Sequence, residues 1–159
     1  MTEWIDTLIQ GLLMGGLYSL FATGLALSFG VMRMINIAHG DFAILAAFGA
    51  IAVVEPLGLN PFMVLFIIVP LMGCFGYVLQ RTVLNRTLGK DILPPLLVTF
   101  GFSIIIQNVL LVIFSADTRS LNVGELGTAS VALGDDLAVG VLPLITMAVA
   151  VAVLAALQW

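Results

Sequence analysis

The sequence predicts an all-α integral membrane protein, a polytopic helix bundle of about five transmembrane segments, one of them short or re-entrant. Three observations support this fold class. Of the 159 residues, 62% are hydrophobic and only 9% are charged, and the mean hydropathy is +1.23. A soluble domain carries about 25% charged residues, so most of the surface of this chain cannot face water. The apolar residues also form long runs, with the polar residues concentrated between them.

Five apolar segments follow one another along the chain. An α-helix rises about 1.5 Å per residue, so about 20 residues cross a hydrocarbon core of about 30 Å. Four segments meet that length. The second, residues 38–54, has 17 residues, which predicts either a short helix that starts below the membrane surface or a re-entrant half-helix. The segments are Leu8–Val31, Ala38–Val54, Pro61–Leu79, Ile92–Phe114 and Val139–Trp159.

The first segment is predicted to be a retained membrane helix with a face of small residues. Glu3 and Asp6 precede it, where a signal peptide would carry basic residues. Its glycines include the G-x-x-x-G spacing that allows helix backbones to approach closely. We therefore expect Gly11, Gly15 and Gly16 to be helix-packing residues, and packing within one bundle is favoured over a specific dimer face.

A polar stretch opens the second segment: residues 35–42, with the sequence INIAHGDF, contain the one histidine of the chain. Asn36 can cap the helix that follows, and Asp41 in its first turn complements the helix dipole. Gly40 allows a bend or the close approach of another backbone. On this interpretation the stretch is only a helix start. On the other, His39 and Asp41 line a transport path, because ionisable groups at membrane depth are costly and usually functional. Both interpretations stay open.

The third and fourth segments carry further polar and helix-bending residues. Pro70 removes an internal hydrogen bond from the third, which predicts a bent helix. In the fourth, Thr99, Ser103 and Gln107 follow at intervals of four residues and therefore share one helix face. Asn108 adds a polar group beside this stripe. The stripe either makes interhelical hydrogen bonds, worth about 0.6 kcal/mol on average in membranes, or lines a path.

The basic residues predict how the segments cross the membrane, because Lys and Arg favour cytoplasmic loops. Arg81, Arg86 and Lys90 lie between the third and fourth segments, so this loop is predicted to be cytoplasmic. Alternation then places Arg33 inside as well. The N-terminus and the mostly acidic loop Ser115–Ala138 are predicted to lie outside.

The sequence contains no motif for catalysis or ATP binding. One histidine cannot supply H-E-x-x-H, G-x-S-x-G is absent, and the Gly-Lys pair at residues 89–90 lacks the spacing of a phosphate-binding loop. We expect no enzyme activity, cofactor or metal site, and any energy coupling would come from a partner. The single cysteine, Cys74, excludes an intramolecular disulfide, and no basic patch favours nucleic acid.

Three stretches of the sequence resemble one family of transport proteins. They are residues 15–48 (GGLYSLFATGLALSFGVMRMINIAHGDFAILAAF), residues 80–108 (QRTVLNRTLGKDILPPLLVTFGFSIIIQN) and the outer-loop sequence DTRSLNVGEL. All are similar to the N-terminal part of the high-affinity branched-chain amino acid ABC transporter permeases. The Asn-x-Ala-His-Gly-Asp passage is the most specific element, since such a polar sequence is unusual in a hydrophobic protein.

The resemblance implies an inner-membrane permease subunit in the lipid bilayer. The implied partners are a second permease subunit, two cytoplasmic ATPase subunits and a periplasmic substrate-binding protein. The implied substrates are leucine, isoleucine and valine, or urea and short amides as in related permeases. Family members are considerably longer, so residues 1–159 are expected to be a single transmembrane domain, the N-terminal half of a longer permease. The alternative expectation is a passive channel built on half-helices.

For neutral branched substrates, the second and fourth segments offer an apolar lining with a few polar groups. The expected path residues are Asn36, His39, Gly40 and Asp41 in the second segment and Thr99, Ser103, Gln107 and Asn108 in the fourth.

Overall fold

In the computed structural model the chain consists mainly of α-helices joined by short connections. The structure describes residues 2–87, 89, 91–121, 123–132 and 138–158. The predicted features at Lys90, at Trp159 and at residues 133–137 of the outer loop lie outside the described residues. The helices are α1 (Thr2–Met32), α2 (His39–Leu57), α3 (Pro61–Leu79), α4 (Asn85–Thr87), α5 (Leu93–Phe114), α6 (Glu125–Thr128) and α7 (Val141–Leu157).

Within the described part of the chain, four helical stretches are long and apolar enough to cross a membrane. They are Trp4–Met32, His39–Leu57, Pro61–Thr87 and Leu93–Phe114, and α7 is a shorter apolar helix of 17 residues. The predicted fold class, a polytopic all-α membrane protein, is confirmed. The predicted direction of each crossing and the single transmembrane domain stay predictions.

By helix length the short apolar segment is α7 and not α2, whereas the start of α2 below the membrane surface stays a prediction. Helix α2 has 19 residues, because it continues through Glu55 and Pro56 and ends at Gly58, which adopts a φ of 59°. Proline removes one hydrogen bond to the preceding turn, but Pro56 lies in the last turn of α2, and glycine in the left-handed region is a common helix terminator. The fifth segment is shorter than predicted because its first residues form a β-strand. This strand, Ala138–Gly140, pairs antiparallel with Ser130–Ala132 in a hairpin that the sequence did not predict.

The chain divides into two compact units, and α1 contributes to both. One unit contains residues 1–27 and 122–159, and there α1 packs against α7 at Gly16. A Cβ atom added at Gly16 would lie 3.1 Å from the Cα of Met147, tighter than most side-chain contacts, and 2.6 Å from its Sδ. Added at Gly11 or Gly15, it would meet nothing within 4 Å, and both glycines border an open groove beside α7.

The other unit, Ser28–Leu121, contains α2, α3, α4 and α5. Helix α3 starts with Asn60, whose side chain accepts a hydrogen bond from the backbone N–H of Phe62. It continues through Pro70, where the bend stays a prediction, into a π-helical turn at Gln80–Leu84. The described hydrophobic core of this unit has Met34, Leu79 and Leu84 at its centre.

Candidate functional site

The connection between α1 and α2, residues 33–38, is non-helical and partly buried. Met34 is 2% exposed and Ala38 is fully buried. The Oδ1 atom of Asn36 accepts a hydrogen bond from the backbone N–H of Ala38 at 3.1 Å, and its carbonyl accepts one from His39 at 3.3 Å. Asn36 therefore forms the turn that starts α2, an arrangement for which asparagine side chains are well suited.

Thr99 connects this non-helical stretch to α5. Its Oγ1 accepts a hydrogen bond from the backbone N–H of Ile37 at 3.3 Å and donates one to the carbonyl of Leu96 at 3.1 Å. Thr99 is only 1% exposed. A backbone N–H without a partner is costly in apolar surroundings. Thr99 therefore supplies the acceptor that the non-helical backbone needs.

Asp41, Ser103 and Gln107 form a polar cluster between α2 and α5. The Nε2 atom of Gln107 donates to Asp41 Oδ1 at 3.0 Å and to Ser103 Oγ at 3.1 Å. Ser103 is buried, Asp41 is half-buried and Gln107 is exposed. The polar stripe of α5 and the polar stretch of α2, which the sequence predicted separately, are thus joined directly by hydrogen bonds.

These contacts place the start of α2 partway along α5. Ile37 lies level with Thr99, and Asp41 lies level with Gln107. The residue numbers rise together, so the two helices run in the same direction. At a rise of about 1.5 Å per residue, Thr99 lies about 9 Å and Gln107 about 21 Å along the roughly 33 Å of α5. Helix α2 therefore begins inside the length that α5 spans, and the polar cluster lies near the middle of that length.

The opposite end of α2 is also fixed to the end of α5. The rings of Phe48 and Phe114 lie 4.8 Å apart between centroids. Arg119, after α5, pairs with Glu55 at 3.1 Å, and its guanidinium lies 5.6 Å from the centroid of the Phe114 ring. Polar contacts at one end and mixed aromatic and ionic contacts at the other thus hold these two helices together.

A different face of α2 borders a cavity of about 370 Å³ between α2, α3 and the π-helical turn. Three polar side chains, Asn36, His39 and Gln80, lie on its wall. We call it the methionine cavity after the side chains that dominate its apolar wall, which are Met32, Met34 and Met72 together with Phe42 and Phe75.

The eight predicted path residues therefore divide between two faces of α2. Asp41 lies with the α5 residues, whereas Asn36 and His39 border the methionine cavity. A helix turns about 100° per residue, so the two-residue spacing of His39 and Asp41 already implies different faces. Gly40 has nothing within 4 Å of an added Cβ atom, and Asn108 donates to the carbonyl of Ile104 on its own helix.

Sequence reasoning did not identify the residues that form the apolar wall of the cavity. Met72 and Phe75 lie in a helix that is apolar all round, so no periodicity distinguishes the cavity wall from the lipid-facing side. The clustering of methionines just before the polar stretch was the only available signal. Among the described residues, no group of three His, Cys, Asp or Glu side chains could hold a metal ion.

Apolar spanning helices, together with non-helical backbone and polar groups inside their length, are features of multi-spanning channels and transporters. Residues 7–159 match the family described as the permease component of the branched-chain amino acid transport system. The chain belongs to this family, and the resemblance found in the sequence is confirmed.

A relative with a described role supports the same assignment. The chain is 32% identical over 125 residues to the high-affinity branched-chain amino acid transport system permease protein BraD of Pseudomonas aeruginosa. The alignment covers 74% of this chain and 40% of that relative, so the chain spans less than half of the relative's length. No solved structure matches the chain.

Proposed function

We propose that this chain is a permease subunit of an ABC importer that moves branched-chain or closely related amino acids across the bacterial inner membrane. A second permease subunit completes the pathway, two cytoplasmic ATPase subunits supply the energy, and a periplasmic binding protein delivers the substrate. Membership of the permease family supports this proposal. The structural observation that carries it is the start of α2 inside the length of α5, preceded by non-helical backbone.

Non-helical backbone at membrane depth is tolerated where protein covers it or where it lines a water-filled cavity. Transporters use such interrupted helices to bring backbone and side-chain polar groups to the middle of the bilayer. Here Thr99 and Ser103 are buried and hold the arrangement together. Asp41 and Gln107 are more accessible and offer a carboxylate and an amide to a passing solute.

The remaining path residues have distinct roles in this proposal. Asn36 and His39 face the methionine cavity on the α3 side of α2. Gly40 leaves space beside the backbone for a solute, and Asn108 stands exposed one position beyond Gln107. In the proposed orientation the N-terminus lies outside, and the loop with Arg81 and Arg86 lies in the cytoplasm beside the ATPases.

Purification of the tagged chain from its native membrane, followed by reconstitution of the complex in proteoliposomes, tests this function. We expect ATPase subunits in the purified complex, and uptake of radiolabelled leucine that requires ATP and stops with a non-hydrolysable analogue. Leucine uptake that proceeds without ATP, only down its gradient, would refute the importer and favour the passive channel. A complex without ATPase subunits would also contradict the proposal.

A further inference from the structure

We propose that the methionine cavity receives the aliphatic side chain of the transported amino acid, and that Met72 determines which side chains pass. This inference rests on the proposed importer function and deepens it by locating a side-chain site. It concerns the α3 side of α2, away from the polar cluster that Asp41 forms with α5.

The size and chemistry of the cavity suit a small molecule with an apolar body and one polar end. Its volume of about 370 Å³ falls within the range of roughly 300–1,000 Å³ typical of small-molecule sites. Asn36 and His39 lie where the non-helical stretch meets α2, and most of the remaining wall is apolar. Such a site can hold an aliphatic side chain within the cavity and leave the amino and carboxyl groups near the polar stretch.

The methionines make the wall adaptable to apolar groups of different shape, which rigid aliphatic residues would not. A rigid hydrophobic pocket distinguishes substrates that differ by one methylene by about 10- to 200-fold. Methionine is unbranched and flexible, so it adapts to differently shaped apolar groups. Phe42 and Phe75 pack edge to face with centroids 6.0 Å apart and form a firmer part of the wall. This combination accepts several branched side chains of similar volume without strong preference.

Met72 occupies the position at which the size of the transported side chain would be selected. A second cavity of about 370 Å³ continues along α2 and α3, with Gly49, Ile68 and Leu71 in its apolar wall. Ala46, Met72 and Phe75 border both cavities, and Met72 is the long flexible side chain among them. An aliphatic group that moves along this route must pass the Met72 side chain, so the size of that side chain limits the size of the group.

Opposite substitutions at Met72, assayed in the reconstituted complex, test the inference. With binding protein saturated in leucine or valine, we expect Met72→Trp to lower the leucine-to-valine uptake ratio about tenfold and Met72→Ala to raise it. Met63→Trp is the matched control, since Met63 lies on the same helix, is 64% exposed and borders neither cavity. Co-purification of the ATPases confirms assembly of each variant.

A second measurement detects occupancy directly. In a Cys74→Ser background, a thiol introduced as Ala43→Cys in the cavity wall is labelled with a membrane-permeant maleimide during transport. We expect leucine to slow this labelling relative to the same complex without leucine. Labelling that is equally slow without leucine indicates occupation by lipid or a neighbouring helix and overturns the inference.

The outcomes separate the two proposals. Wild-type uptake that requires ATP, combined with an unchanged leucine-to-valine ratio in both Met72 variants, refutes the side-chain site and leaves the importer function standing. If Met72→Trp fails to assemble, Met72→Ala alone decides by the direction of its shift. Absence of ATP-driven uptake in the wild type refutes the importer, and the side-chain site with it.

Discussion

Replacing Thr99 with valine removes one hydroxyl from α5 and leaves the shape of the side chain almost unchanged. The hydroxyl is the acceptor for the backbone N–H of Ile37 at 3.3 Å, at a position that is 1% exposed. Valine cannot accept a hydrogen bond, so the N–H of Ile37 loses this partner. A buried donor that loses its partner costs about 1–3 kcal/mol. We expect Thr99→Val to lower the free energy of unfolding by that amount.

Ser103→Ala is the matched control, since it removes a hydroxyl one turn further along α5. Gln107 keeps its hydrogen bond to Asp41 in this variant, so no buried group loses its only partner. The expected loss is about 0.2–0.5 kcal/mol, the range for a side-chain pair four residues apart on one helix. Thr99→Ser retains the hydroxyl but loses one buried methyl group, so it should cost about 0.8 kcal/mol.

Unfolding in mixed micelles, followed by circular dichroism as SDS is added, measures these differences. The expected order of stability is wild type, then Ser103→Ala, then Thr99→Ser, then Thr99→Val. If Thr99→Val is as stable as Ser103→Ala, the Ile37 N–H does not depend on Thr99. In that case α5 does not support the non-helical stretch through Thr99.

Three further substitutions test other parts of the structure. Gly16→Ala places a Cβ atom 3.1 Å from Met147 Cα and should cost about 1–3 kcal/mol of unfolding free energy. Gly15→Ala is the control and should cost none, because the added Cβ atom meets nothing within 4 Å. Equal losses in the two variants would contradict close packing at Gly16. Asp41→Asn keeps an oxygen that accepts from the Gln107 amide, so stability should change little. ATP-driven leucine uptake should fall about tenfold or more, because the charge is lost. Normal uptake would show that the carboxylate is not part of the proposed path. Arg119→Ala breaks the exposed ion pair with Glu55 and should lower the free energy of unfolding by about 0.2–1 kcal/mol, and by less in high salt. A loss of stability that salt does not change would assign the effect to the contact of Arg119 with the Phe114 ring.

The sequence predicted the helices well because membrane spans are determined by local composition. Helix α3 has the predicted bounds Pro61–Leu79, and α5 differs from the prediction by one residue. Both lie in continuous apolar runs with proline or a polar residue at their start. For such segments, length and hydropathy decide the structure before any tertiary contact forms.

The features that the sequence did not predict depend on contacts between distant residues. Glu55 remains within α2, and its partner Arg119 is 64 positions away. The strands at residues 130–132 and 138–140 are too short for an alternating pattern, and the turn at Gln80–Leu84 differs from its neighbours only in hydrogen bonding. None of these features produces a periodic signal in one sequence.

The candidate site was predicted from the sequence only in part. The sequence predicted that Asn36 starts a helix and that Thr99, Ser103 and Gln107 share a face. The predicted cap is displaced, however: Ala38 occupies the N-cap position of α2 without a side-chain cap, and Asn36 accepts from the N–H of Ala38 in the turn before the helix. The sequence could not predict which partner each side chain has, because that depends on how far α2 is displaced along α5. Once the displacement set by Ile37 and Thr99 is known, Asp41 falls within about one turn of Gln107, a distance that the long Gln107 side chain bridges.

The same displacement explains why helix start and path lining are compatible interpretations of residues 35–42. At the membrane surface, water could satisfy the first backbone amides of α2, and a specific set of partners would be unnecessary. Because α2 starts inside the length of α5, protein groups must take the place of water. Asn36 accepts from Ala38 and Thr99 accepts from Ile37 for that reason. A helix start that has to be satisfied internally is also one that brings a carboxylate and an imidazole partway along α5.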